Sequence, residues 1–256
     1  SVYRYVIGSE ILFISCKYKQ LCLNFKVTYH LWFAVLGVFL FCLNYIVADR
    51  AQVHITSALA GIVFSTMLWI NIILSRLVFG TRAGPRVLFG AVLGITGIVT
   101  LFAPQVGEIA LSDAVLYGSL LAFLGALMAS IGNILSQAAQ QRALPVVQAN
   151  AWGMLYGALL TAVICAVRGY EFTFEGTFTY IASLGYLAVF GSVIAFGAYL
   201  TLVGRIGAHR AGYATVMFPV VALLLSILFE GLRLDFAIIA GTSLVLLGNV
   251  LVLREQ

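Results

Sequence analysis

The chain has 256 residues, 62% of them hydrophobic and 9% charged, with a formal net charge of +5. A soluble domain carries about 25% charged residues, so this composition excludes a globule that meets water on every side. Cys16, Cys22, Cys42 and Cys165 show no CxxC spacing, and no HExxH, P-loop or GxSxG occurs, so no metal, cofactor or catalytic motif is expected.

The apolar residues come in long runs that do not alternate, which argues for membrane-crossing helices rather than a barrel. The fold class is all-α, a polytopic helical membrane protein. Hydropathy gives about nine segments, near 2–16, 31–48, 55–78, 87–103, 114–138, 147–167, 180–203, 211–229 and 236–253. Every joint between them is too short to hold a folded domain outside the bilayer.

The first segment carries Glu10, a carboxylate well inside a span. Lys17 marks the end of that helix, and at about 1.5 Å per residue Glu10 lies roughly 10 Å deeper, in hydrocarbon about 30 Å thick. Hydrocarbon favours the neutral acid, which suits a group that binds and releases a proton. Glu10 is therefore the proton-coupling candidate. Arg4 is six positions away, on a different face, and does not pair with it as a neighbour.

Later segments place further polar and aromatic residues at depth, where they are penalised unless paired or facing a cavity. Asn44 and Tyr45 lie in the second, Trp69 and Asn71 in the third, and Ser130 and Asn133 in the fifth. Trp152 and Tyr156 follow in the sixth and Tyr199 in the seventh. Pro219 sits inside "VMFPVVALLLSILFEG". A proline there persists where neighbouring helices or a cavity satisfy the freed carbonyl, which points it to the bundle interior. Together these are the candidate substrate-binding residues. An aromatic cavity with a few amides suits a partly apolar, zwitterionic or neutral solute. Gly90/Gly94, Gly153/Gly157 and Ala126/Ser130 have the small-xxx-small spacing of close helix packing.

Basic residues set the orientation. With alternating sides, Lys17, Lys19, Lys26, Arg76, Arg82, Arg86, Arg142, Arg205, Arg210 and Arg254 share one side, against Arg50, Arg168 and Arg233 on the other. The basic-rich side is expected to be cytoplasmic, together with the C-terminus. This bias accounts for the basic pI, so no nucleic-acid partner is expected.

The chain also repeats itself. A shift of 154 pairs Gly37 with Gly191, Tyr45 with Tyr199 and Phe64 with Phe218, and sets Ser65 opposite Pro219. A shift of 151 pairs "GAVLGITGIV" with "GTSLVLLGNV", keeping Gly90/Gly241 and Gly97/Gly248 in register. Residues 114–254 hold five helices and residues 1–104 only four. An odd-numbered unit inverts the next copy, the plan of many secondary transporters. By this logic a further helix is expected before Ser1, giving ten.

"SIGNILSQAAQQRALP", "YRYVIGSEILF", "ITSALAGIVFS" and "HRAGYATVMFP" together resemble the drug/metabolite transporter superfamily, in its EamA-type branch. The resemblance implies a ten-helix inverted-repeat bundle in the bacterial inner membrane, mostly an exporter of amino acids, metabolites or drugs. The chain departs from it in its first repeat, where Arg76 stands at a position often acidic in members; Glu230 keeps the acid in the second.

The leading reading is a secondary carrier without enzyme activity, rocking about a midplane site. The alternatives are a channel or facilitator, an integral-membrane lipid-modifying enzyme, and a structural subunit. No hydrophilic helix stripe favours the channel, and the acids are too dispersed for the enzyme. Expected partners are a small-molecule solute and membrane lipid, with a second copy of the chain as a further candidate.

Overall fold

A computed structural model describes residues 2–106, 112–170, 172–217, 220–221 and 236–253, without the side chains of 57–58, 104–106 and 253. In chain order the helices are α1 (Val2–Tyr18), α2 (Val27–Ala51), α3 (Ser57–Ser65), α4 (Met67–Phe79), α5 (Pro85–Val106) and α6 (Asp113–Gln141). There follow α7 (Val146–Val167), α8 (Phe178–Ile206), the short α9 (Ala208–Ala211) and α10 (Phe236–Leu253). Among the described residues there is no strand, and six helical stretches are long and apolar enough to cross a membrane. The protein is an all-helical, multi-pass membrane bundle.

Helix ends follow local chemistry. Beyond α1, Gln20 takes a left-handed φ of 53° and the Leu21 N–H closes on the Cys16 carbonyl at 2.8 Å. Ala143 (φ 59°) does the same beyond α6, with Leu144 N–H to Ala139 O at 3.1 Å. Gly169 (φ 72°) does so beyond α7, with Tyr170 N–H to Cys165 O at 3.0 Å. Each closure satisfies carbonyls that a helix end leaves without partners.

The segment expected as continuous over 55–78 is interrupted. α3 ends at Ser65 and α4 begins at Met67. The cause is local: the Ser65 hydroxyl donates to Ile62 O and the Thr66 hydroxyl to Val63 O, both at 2.6 Å. Hydroxyls that bond back to the preceding turn compete with the helical ladder and bend it. Ser65 is the residue that the repeat sets opposite Pro219. Pro219 itself lies outside the described residues, as does most of the segment expected at 211–229.

Two helices contain a π-helical turn, Val38–Leu43 within α2 and Val189–Ile194 within α8. These turns stand 151 residues apart, as do the helix starts Val27 and Phe178. That offset is three residues short of the shift that aligns Gly37 with Gly191. A π turn holds one more residue than an α turn and so re-aims the side chains beyond it.

The chain divides into two units, Ser1–Ile46 with Leu135–Arg205, and Val47–Ile134 with Ile206–Gln256. In the first, α7 packs along α1 and the first half of α2. Gly37 has no room for a side chain, since a Cβ would run into the Gly153 carbonyl. A Cβ on Gly157 would lie 2.7 Å from the Phe41 Cβ and 2.8 Å from Gly37 O. Lipid offers no hydrophobic drive between helices, so this backbone-to-backbone approach supplies the packing.

In the second unit α5 and α10 form the most extensive helix pair. Their core joins Val87, Ala91 and Ile98 to Val245 and Val252, with Leu68 and Ile72 of α4 and Tyr213 alongside. The Tyr213 hydroxyl, buried there, donates to the Val87 carbonyl.

Candidate functional site

The first unit brings several side chains together. Trp152 and Tyr156 lie one turn apart on α7 and stack at 5.8 Å, 25° between planes. His30, from the first turn of α2, meets the Trp152 ring edge-on at 4.7 Å, and its Nδ1 shares a 2.8 Å hydrogen bond with the Tyr156 hydroxyl. Phe13 of α1 also meets Trp152 edge-on, ring centroids 4.9 Å apart. Beside it Phe13, Ile14, Lys17, Leu23, Trp152 and Leu155 line an open recess of about 370 Å³. Trp152 Nε1 is buried and without a hydrogen-bond partner. The result is an aromatic wall beside an apolar recess.

Tyr45 stands elsewhere in this unit. Its hydroxyl accepts from Arg4 Nη2 at 3.1 Å, and its ring meets Tyr5 edge-on at 5.3 Å. Neighbouring Asn44 has its Oδ1 buried without a partner. Tyr199 is half-buried on α8. Glu10 lies on the exposed face of α1, away from the buried Tyr5, Gly8, Ser9, Leu12 and Cys16.

The remaining candidates belong to the second unit. Asn71 is fully buried, with neither end of its amide bonded, and Ser75 Oγ one turn further on is in the same condition. A Cβ on Gly212 would sit 3.0 Å from Asn71 Nδ2, so the amide faces the chain just after α9. Trp69 packs against the core around Leu68 and Tyr213. Ser130 is buried and donates to Met67 O at 3.4 Å, and Asn133 is buried one turn along α6.

A family model described as the EamA-like transporter family matches residues 1–103 and again 116–254, two copies that cover nearly the whole chain. The chain belongs to the EamA-like transporter family. A solved crystal structure shares the fold at a TM-score of 0.83 with 19% identity, over 98% of this chain and 84% of that one. At that identity the likeness concerns the fold alone. No curated protein matches the chain in sequence. As an EamA-type protein it is a multi-pass membrane transporter of the drug/metabolite class, whose cargo is a small-molecule solute.

Two residues escape sequence reasoning. His30 has no other histidine or acid near it in sequence, and its hydrogen-bond partner is 126 residues away. Arg4 reads as a stray charge within an apolar run. Its flanking tyrosines in "YRY" are the available signal, since cations inside spans are held by aromatic faces and hydroxyls.

Proposed function

We propose that this EamA-type transporter is a secondary carrier that exports small metabolites, amino acids or drugs by alternating access around a midplane cavity. The supporting observation is the Phe13–His30–Trp152–Tyr156 group beside an open, apolar recess at the Lys17 end of α1. Walls of this kind bury an apolar body and orient it with one or two polar contacts. The duplicated matches to the family model accord with two inverted repeats, residues 1–104 and 114–254, and such repeats rock about a shared site. The buried Asn71, Ser130 and Asn133, with Asn44, Tyr45, Trp69, Tyr199 and Pro219, are further candidates for solute contact. Glu10 is the candidate for coupling to protons.

The basic-residue asymmetry supports a cytoplasmic C-terminus, and residence in a bacterial inner membrane follows from the family resemblance. A second copy of the chain is a candidate partner. Counterflow in proteoliposomes tests the carrier reading. A carrier shows solute uptake stimulated by the same solute on the far side; a downhill flux that trans solute leaves unchanged identifies a facilitator and overturns the proposal.

A further inference from the structure

Arg4 of α1 is a half-buried cation that, among the described residues, is held only by neutral groups. Its Nε donates to the Ser192 hydroxyl at 2.7 Å, and its Nη2 donates to the Tyr45 hydroxyl at 3.1 Å and the Tyr5 hydroxyl at 3.3 Å. The guanidinium carbon lies 4.9 Å from the Tyr5 ring centre and 5.1 Å from that of Tyr45. Among the described residues no carboxylate pairs with it. With Lys17 taken as the end of a span, Arg4, about 20 Å away along the same helix axis, lies within a hydrocarbon layer about 30 Å thick. An unneutralised cation there is costly and marks a solute or ion path by default.

The surroundings fix this cation in one pose. Ser192 lies in the π turn of α8, and its own proton goes to Leu187 O at 3.2 Å, so it offers Arg4 a lone pair. Tyr45 lies just beyond the π turn of α2, and Phe41 within that turn braces the Tyr5 ring at 5.2 Å. The π turn of α8 and the segment just beyond that of α2 thus each supply a partner to one guanidinium. These contacts occupy Nε and Nη2. The Nη1 amino group has no partner among the described residues, and neither does the proton of the Tyr45 hydroxyl.

We propose that Arg4 Nη1 and the Tyr45 hydroxyl form an oxyanion subsite that binds the carboxylate of a monoanionic solute during transport. The assignment rests on the carrier reading and narrows its substrate class. One guanidinium neutralises one charge. A phosphate monoester would leave a second charge unneutralised in low dielectric, a far larger penalty, which favours the carboxylate. A lipid phosphodiester shares the single charge and is the competing source of the same chemistry.

The test uses the purified full chain and matched probes, small monocarboxylic and hydroxy acids each set against its carboxamide. Thermal shift in lipid-free detergent and counterflow in liposomes are read for every pair. At least one carboxylate should bind and exchange roughly tenfold or more better than its amide, the range of a charge-assisted hydrogen bond. Arg4→Gln should abolish that preference, Arg4→Lys keep part of it, and Tyr45→Phe weaken it. The ratio within one protein is independent of expression, so a merely structural arginine would not move it. Equal handling of acids and amides overturns the subsite, as does a preference that survives Arg4→Gln, or exchange of neutral solutes alone. Phospholipid that co-purifies with the parent and not with Arg4→Gln, without a carboxylate preference, also overturns it in favour of a headgroup. Absence of exchange for every probe, neutral ones included, counts against the carrier reading itself.

Discussion

Gly90 and Gly248 meet backbone to backbone. A Cβ on Gly90 would lie 2.8 Å from the Gly248 carbonyl oxygen, and one on Gly248 would lie 2.7 Å from that of Gly90. Gly97 and Gly241 meet in the same manner, at 2.7 Å each way. The repeat pairs Gly90 with Gly241 and Gly97 with Gly248, so each glycine touches the equivalent of the other, the reciprocity that a two-fold relation produces. No flexible side chain there can yield to a methyl group. Gly97→Ala and Gly241→Ala should each destabilise the protein by about 1–3 kcal/mol, the usual cost of overpacking. Gly185→Ala, with nothing within 4 Å of its Cβ, should not. Melting temperatures in detergent compare the three.

The orientation gives a labelling pattern. Cys22 is an exposed free thiol in the joint between α1 and α2, on the side expected to be cytoplasmic. An impermeant thiol reagent added to intact cells should leave it unmodified and should react with a cysteine placed at Gly176, in the α7–α8 joint. Labelling of Cys22 from outside would invert the topology.

Ala143 holds a left-handed φ of 59° with an ordinary side chain. Glycine enters that region without the steric cost that alanine bears. Ala143→Gly should raise stability by a few tenths to about 1 kcal/mol, less the entropy glycine adds to the unfolded chain. A fall in melting temperature would show that the Ala143 methyl group makes contacts of greater value.

The helices and their membrane setting are legible because hydrocarbon imposes length and composition on each span, and those survive in sequence. The break at Thr66 is not. A serine or threonine in a helix either faces outward or bonds back, and only the backbone shows that Ser65 and Thr66 both bond back. The π turns leave no compositional mark at all, since one more residue per turn changes neither hydropathy nor charge. The hydrogen bonds of Arg4 are hidden for a different reason: Ser192 lies 188 residues away, while helical periodicity reports only neighbours within the same element. Trp152 and Tyr156, by contrast, lie on one helix four positions apart, and their shared face is written in their spacing.

The His30–Tyr156 hydrogen bond separates two contributions to the aromatic wall. Tyr156→Phe removes the bond and keeps the stack on Trp152. If the wall receives solute, Tyr156→Phe should raise KM a few-fold, in keeping with about 0.5–1.5 kcal/mol for one hydrogen bond. Trp152→Ala, which removes the wall itself, should do substantially more at equal expression. Transport kinetics unchanged in both variants would make the group a packing element.

Glu10 is the last test, and its placement sharpens it. The residues that α1 buries are Tyr5, the adjacent Gly8 and Ser9, Leu12 and Cys16, successive turns of one face. Glu10 is two residues from Leu12, about 200° around the helix, and so looks the opposite way. A carboxylate on that face of a span meets lipid, water or another helix, and only the last two tolerate its charge. As a coupling group it would gain a proton on one side of the membrane and release it on the other. Glu10→Gln keeps the shape and a hydrogen-bonding end but cannot exchange that proton. Transport driven by a pH gradient should then disappear, while counterflow without a gradient persists at a rate near the parent's. A Glu10→Gln protein that keeps both activities and the parent's pH profile would leave Glu10 with a structural role only.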